Sequence, residues 1–346
     1  MSNTNWIGQD EGTRQRINRT LGTGTGGGGN LLQTFINRTV QQLTLREFGL
    51  QAVLPRRQGS GDAEYINQRT AGTSGAGWYS DTATVAEENG VYAQKSFAYK
   101  TAVTRGKVTR KLMAVGRTYA DVLALELAAK AEDFANQLEL GYLRGRSGYD
   151  GGNIDSADAP KGFITLLFDP ALTDFSQLHT DATSSAPAAL TLELLDAAID
   201  SVKGSASRQD LVIIGSFVGL RKLNGLLQAD QVFNDVTEVA AGFRVKTYDG
   251  IPCVVSTAMP NDLLFAHAGD APGKAFSGKT TTAASKATML LVLNKRYCYI
   301  SELTPTTVLP LAKDSSQYDQ FDMYWDGAPV LANSLGAAAV TCIDPS

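Results

Sequence analysis

The stretch Tyr119-Ala-Asp-Val-Leu-Ala-Leu-Glu-Leu-Ala-Ala-Lys-Ala-Glu-Asp-Phe-Ala-Asn-Gln-Leu-Glu-Leu-Gly-Tyr-Leu-Arg144 is the strongest helical signal in the chain. Tyr119, Val122, Leu123, Leu127, Ala131, Phe134, Leu138 and Tyr142 recur mostly at steps of three or four, which places them on one side of a helix. Thr118 with Asp121 resembles a capping box, with Asp in place of the usual Glu or Gln. Glu126 and Lys130 form a favourable i,i+4 pair, and Gly145 stands where a C-terminal glycine belongs. Such a rod is roughly 40 Å long, well beyond the usual 11–12 residues.

Immediately before it the pattern changes. Tyr65, Ile66, Trp78, Tyr79, Val85, Val91, Tyr92, Phe97, Tyr99, Val103 and Val108 are strand formers, interrupted by Gly72, Gly75, Gly77 and Gly90. They predict long antiparallel strands over about 60–112, extended rather than compact. A long helix beside a long extended hairpin is an unusual pair for a compact enzyme.

Working outward, residues 1–29 are polar and end in Gly22-Thr-Gly-Thr-Gly-Gly-Gly-Gly29, which reads as an arm or linker. The run also matches GxGxxG, but no strand signal precedes it, as a dinucleotide loop requires. Leu32, Phe35, Ile36, Val40 and Leu43 predict a helix over 30–48. Residues 146–188 are rich in Gly, Asp, Ser, Ala and Pro and read mainly as loop. Next comes an α/β stretch: helices near 191–203 and 217–228, buried strands at Leu211–Ile214 and Met289–Leu293, and a hairpin over 243–256 turning at Asp249-Gly250. Residues 299–346 predict further strands, with an apolar end at Ala337–Ile343.

The 346 residues are 43% hydrophobic and 19% charged, enough to bury a sizeable core. With 31 basic and 35 acidic residues the net charge is −4, which does not suit a protein whose main task is neutralising phosphates. Cys253, Cys298 and Cys342 form no CxxC pair, so zinc ribbons and thioredoxin-like sites lack support and a reduced, cytoplasmic chain is expected. Residues 1–10 lack a signal-peptide pattern, and no apolar run reaches the roughly 18–20 residues of a membrane span.

No P-loop, HExxH, EF-hand or GxSxG sequence occurs. The two histidines, His179 and His267, come with no recognisable nucleophile or ligand cluster. No catalytic, cofactor or metal residue is therefore assigned, and the chain is read as a non-enzyme. Charge does segregate. Lys95, Lys100, Arg105, Lys107, Arg110, Lys111 and Arg117 lie in a window without an acid. Residues 299–346 hold Glu302, Asp314, Asp319, Asp322, Asp326 and Asp344 against one base, Lys313. These readings compete: two solvated faces, a DNA contact, or a basic hairpin clasping an acidic surface of a neighbouring copy. The clasp makes the seven basic residues the subunit-contact candidates.

The order of these elements resembles the tailed-phage major capsid proteins of the Hong Kong 97 (HK97) type. Tyr248-Asp-Gly-Ile-Pro-Cys-Val-Val-Ser256, followed by Met259-Pro260, is similar to that family's Gly-x-Pro strand, and Pro160-Lys-Gly162 after the long helix is typical of it. The resemblance implies an α+β, HK97-like capsid fold with four regions. These are an N-terminal arm (1–56), an extended β-hairpin E-loop (57–112), a peripheral P-domain with the long spine helix (113–190 and 300–346), and an α/β axial A-domain (191–299).

It also implies the function: a major capsid protein that self-assembles, as hexamers and pentamers, into the icosahedral head shell around a double-stranded DNA genome. The partners implied are copies of itself, a separate scaffolding protein, a portal protein and, in some shells, a decoration protein. DNA is enclosed without sequence-specific binding, and neither cofactor nor membrane is involved. The virion capsid, assembled in the host bacterial cytoplasm, is the expected location. Two rivals stand beside this reading. One is an encapsulin-like compartment, which shares the fold and has a shorter arm. The other is an α/β hydrolase or transferase, which lacks its catalytic constellation here.

Overall fold

In the computed structural model the described part of the chain begins with helix α1 (Gly49–Val53), strand β1 (Arg56–Gln58) and a hairpin of β2 (Ala63–Ala71) and β3 (Val91–Ala98). Residues 49–345 are described except 72–77, 83, 85–89, 117–120, 150–151, 170–176, 181–186, 203–207, 230–235, 241–242, 265–277, 280–285 and 313–316. The glycine run, the helix expected over 30–48, Arg117 and His267 lie outside the described residues.

After the hairpin come β4 (Lys100–Thr109), α2 (Arg110–Gly116) and the long helix α3 (Val122–Arg144). Helix α3 begins three residues later than the periodicity predicts, because Asp121 is itself the cap. Its carboxylate Oδ1 accepts from the amides of Leu123 at 3.1 Å and Ala124 at 3.2 Å. Gly145 ends the helix, but not by adopting a left-handed conformation: its φ and ψ are −55° and 131°. A Cβ there would lie 2.2 Å from the Pro160 carbonyl oxygen, so close backbone approach is what requires glycine. The first turns of α3 leave Leu123 and Leu125 exposed, whereas Phe134, Leu138, Tyr142 and Leu143 are buried. The 146–188 segment, expected mainly as loop, also contains α4 (Phe163–Leu167), whose Phe163, Ile164, Leu166 and Leu167 are all buried against α3.

The remaining elements are β5 (Leu178–His179), α5 (Leu192–Ser201), β6 (Leu211–Gly215), α6 (Phe217–Ala229), β7 (Val236–Ala240), β8 (Phe243–Tyr248) and β9 (Ile251–Val255). They are followed by β10 (Leu263–Leu264), β11 (Gly278–Lys279), β12 (Thr288–Asn294), β13 (Cys298–Pro310), β14 (Tyr318–Leu331) and β15 (Ala337–Ile343). A seven-stranded sheet has the order β5-β15-β12-β6-β9-β8-β7. It therefore draws β5 and β15 from outside the 191–299 stretch. The turn between β8 and β9 has positive φ at both Asp249 (48°) and Gly250 (77°), the conformation a tight two-residue hairpin needs.

The central strands β6 and β12 are buried on both faces, which is why they read as unbroken apolar runs. Their pleat still sorts the side chains. Val212, Ile214, Met289, Leu291, Leu293, Ala337 and Ala339 join the core under α3 and α4. Leu211, Ile213, Leu290, Val292, Ala338 and Val340 join a second core beneath α5 and α6. Burial pushes the thiols of half-buried Cys253 and buried Cys298 up to about 12, which favours the protonated form of both.

The second sheet has the order β1-β13-β14-β4. Its inner face presents Phe321, Met323 and Trp325, and the Trp325 ring meets Tyr142 of α3 edge-on with centroids 5.3 Å apart. Buried Glu302 of β13 accepts from Trp325 Nε1 at 2.9 Å and from Arg56 at 2.8 Å, which fastens β1 to the sheet.

Candidate assembly surfaces

The β2–β3 hairpin lies with one face against its own subunit. Pairing of Arg69 with Tyr92, Asn67 with Gln94 and Tyr65 with Ser96 puts these six residues on one face, and all six are exposed. The opposite face carries Glu64, Ile66, Gln68, Ala93, Lys95 and Phe97, all partly or fully buried. Glu64 anchors it. Its carboxylate accepts from Tyr99 at 2.9 Å, from Ser301 at 3.0 Å and from Tyr299 at 3.3 Å, the last two on β13. Gln68 adds a bond to the Ala332 carbonyl. The hairpin is thus pinned at its base, and its outer face with Tyr65 and Tyr92 is offered to solvent. In the connection between β2 and β3, Trp78 is fully exposed. An isolated exposed apolar residue is ordinary, whereas aromatic residues are enriched at protein–protein interfaces.

The basic segment divides by position. Lys95 sits on the hairpin's inner face, where burial pulls its ammonium below the usual lysine range and Asp169 acts against the shift. Lys100 starts β4, partly buried. Arg105 forms two parallel bonds to Asp322 of β14, Nε to Oδ1 at 2.7 Å and Nη2 to Oδ2 at 2.8 Å. The Lys107 ammonium lies 3.7 Å from the centre of the Tyr318 ring. Arg110 and Lys111, both exposed, begin α2.

The acids that mirror this segment lie on the neighbouring strand of the same chain. The β4–β14 register sets Arg105 opposite Asp322, Thr101 opposite Asp326 and Val108 opposite Asp319. The attraction between the two segments, expected between copies, is met inside the subunit at Arg105, because the pairing of two distant strands is invisible in the linear charge pattern. What sequence reasoning missed is apolar: Val103, Leu112, Val115, Leu123 and Leu125 are exposed on β4, α2 and the start of α3, beside those charges.

His179 lies in the two-residue strand β5, paired with β15, and its Nε2 is buried without a hydrogen-bond partner. Burial lowers its pKa. No group of three His, Cys, Asp or Glu residues placed to hold a metal occurs among the described residues.

The model of the SU10 major capsid protein family matches residues 82–343. The chain belongs to the SU10 major capsid protein family. The solved structures it resembles carry the same HK97-type fold. One is the capsid of cyanophage A-1(L), 13% identical, covering 93% of this chain and 99% of that one, with a TM-score of 0.66. Another is the capsid of a native GTA particle, 15% identical, covering 93% and 98%, with a TM-score of 0.63. A third is the SrpI encapsulin of Synechococcus elongatus, 13% identical, covering 92% and 94%, with a TM-score of 0.63. No curated protein matches the chain. In this SU10-type capsid protein the outer face of the pinned hairpin and the β4–α2–α3 edge are the exposed apolar and charged surfaces described above.

Proposed function

We propose that this chain is the repeating subunit of an icosahedral head shell around the double-stranded DNA of a tailed phage, arranged in hexamers and pentamers and acting without catalysis or cofactor. The single observation that carries the proposal is the family match, which spans 82–343 and so includes β3, β4, the long helix, the seven-stranded sheet and every strand of the second sheet except β1. In this reading residues 1–56 are the arm, 57–112 the E-loop, 113–190 with 300–346 the peripheral domain and 191–299 the axial domain. The outer face of the hairpin, with Trp78, and the strip holding Lys107, Arg110, Lys111, Leu112 and Val115 meet neighbouring copies. Lys95, Lys100, Arg105 and Arg117 belong to the same contact segment, with Arg105 acting through the strand pair it braces.

A shell suits such surfaces. Exposed ion pairs contribute only about 0–1 kcal/mol each, so a misplaced subunit can leave, while many repeated contacts stabilise the closed particle. Assembly takes place in the bacterial host cytoplasm with a separate scaffolding protein and a portal, and a decoration protein can add to the outside. The encapsulin reading shares the fold, and the likeness to SrpI is as close in TM-score as that to the GTA capsid; the family match favours the phage reading.

Electron microscopy of the purified chain, expressed with and without the scaffolding partner, tests the proposal. Capsomers, shells or tubes are expected. A strictly monomeric species at high concentration, with the hairpin ordered, overturns it. Particles that package a cargo enzyme in place of DNA would restore the encapsulin reading.

A further inference from the structure

One buried titratable group belongs to none of these surfaces. Glu139, on α3, is fully buried. Its Oε1 accepts from the Leu50 amide at 3.0 Å and from the Ser256 hydroxyl at 2.7 Å, and its Oε2 accepts from the Gln51 amide at 3.2 Å. Gln51 answers by donating from Nε2 to the Ala135 carbonyl, one turn back on α3, at 2.7 Å. Gly49 presses on the end of β9 so closely that a Cβ would lie 2.1 Å from the Val255 carbonyl oxygen. One carboxyl group thus joins three separate pieces: the root of the N-terminal segment, the long helix, and the chain just past β9.

No charged partner compensates it among the described residues. Helix α1 contributes no titratable side chain, nor do the residues of β6 or the stretch Ser256–Met259. Cys253 of β9 is a protonated thiol. On α3 the nearest titratable neighbour is Tyr142, beyond which lie Arg56 and Glu302, already paired with each other. Only dipoles therefore face a buried charge. Loss of water outweighs the donors, which are the Ser256 hydroxyl, the Leu50 and Gln51 amides and the Gln51 side chain, and holds the carboxyl above its usual range.

We propose that Glu139 is a proton-responsive latch that fixes α1 to α3 and to the end of β9, and that it closes more firmly as the pH falls. The sign follows from linkage. A carboxyl that binds its proton more tightly in the closed form than in water favours closure in acid. That contribution is complete below the ordinary glutamate range, near pH 4, and is lost as the pH rises through the raised value. The proton has a place to go: on the carboxyl it donates to Ser256 Oγ, which reverses from donor to acceptor, while both α1 amides keep an oxygen.

Hydrogen exchange of the Leu50, Gln51 and Leu54 amides in the full chain, normalised to intrinsic rates and referenced to the α4 core amides, tests this at pH 5 and pH 8. Protection of α1 alone is expected to rise in acid, by about tenfold for each unit by which closure raises the carboxyl's pKa. Glu139→Gln, neutral throughout but with one oxygen in place of two, should hold α1 less firmly and with no pH response. Ser256→Ala, which removes the charge-assisted bond to the ionised form and the weaker bond to the protonated one, should move the response to higher pH. Equal normalised protection at both pH values, or a response that persists in Glu139→Gln, overturns the latch. If Glu139→Gln does not fold, a Ser256→Ala response that fails to move upward overturns it equally. The readout is local to α1, so its outcome is independent of whether the chain builds shells.

Discussion

Arg105 and Asp322 sit directly opposite each other on β4 and β14, joined by two parallel hydrogen bonds of 2.7 and 2.8 Å. The guanidinium holds the Asp322 carboxyl below its usual range. A lowered carboxyl stabilises the fold above the ordinary aspartate value, near pH 4, and loses that effect as the pH falls through the lowered one. Arg105→Gln is therefore expected to be less stable than the parent at pH 7 and to approach it as the pH drops below about 4. Urea unfolding across that range checks this; a difference that stays constant with pH would mean that the pair contributes packing alone.

Gly162 donates its amide to the Gly145 carbonyl at 2.9 Å, where the end of α3 meets the start of α4. A Cβ at Gly162 would lie 2.5 Å from the Leu143 carbonyl oxygen and 2.6 Å from the amide nitrogens of Arg144 and Gly145. These are backbone atoms and cannot turn aside. Gly162→Ala is expected to destabilise the subunit by about 1–3 kcal/mol, read as a lowered denaturant midpoint.

Lys107→Glu with Arg110→Glu should cost the subunit no more than about 1 kcal/mol at Lys107, where the contact with the Tyr318 ring is lost, and about 0.5 kcal/mol at Arg110, since both side chains are exposed. Assembly should fail or slow, and the defect should change with salt because exposed pairs are screened over roughly 8–10 Å. Electron microscopy of particles made without DNA is decisive. Normal empty shells that retain DNA poorly would reassign the strip to nucleic acid.

Trp78→Ala removes a side chain that is fully exposed. Its effect on subunit unfolding should be under about 0.5 kcal/mol, while the yield of assembled particles falls. Equal yields by sedimentation would show that Trp78 is no part of the contact.

Much of this architecture is legible in local sequence because local forces make it. The spacing of apolar residues from Val122 to Tyr142 builds α3, Asp249-Gly250 turns the β8–β9 hairpin, and the apolar runs of 211–214 and 289–293 lie in strands buried on both faces. Net charge and missing motifs narrowed the function, and the family resemblance supplied the rest. Long-range pairing was decided only in three dimensions. β15 crosses from the C-terminal strands to lie beside β12, and β4 leaves the extended region to complete the sheet with β14. Opposite charges forty or two hundred residues apart look alike in a sequence; only the β4–β14 register places Arg105 against Asp322 within one chain. Glu139 likewise reads as one more polar position on an amphipathic helix. It becomes a buried junction because α1 and Ser256 close over it, and burial, unlike periodicity, is a property of everything that packs around a residue.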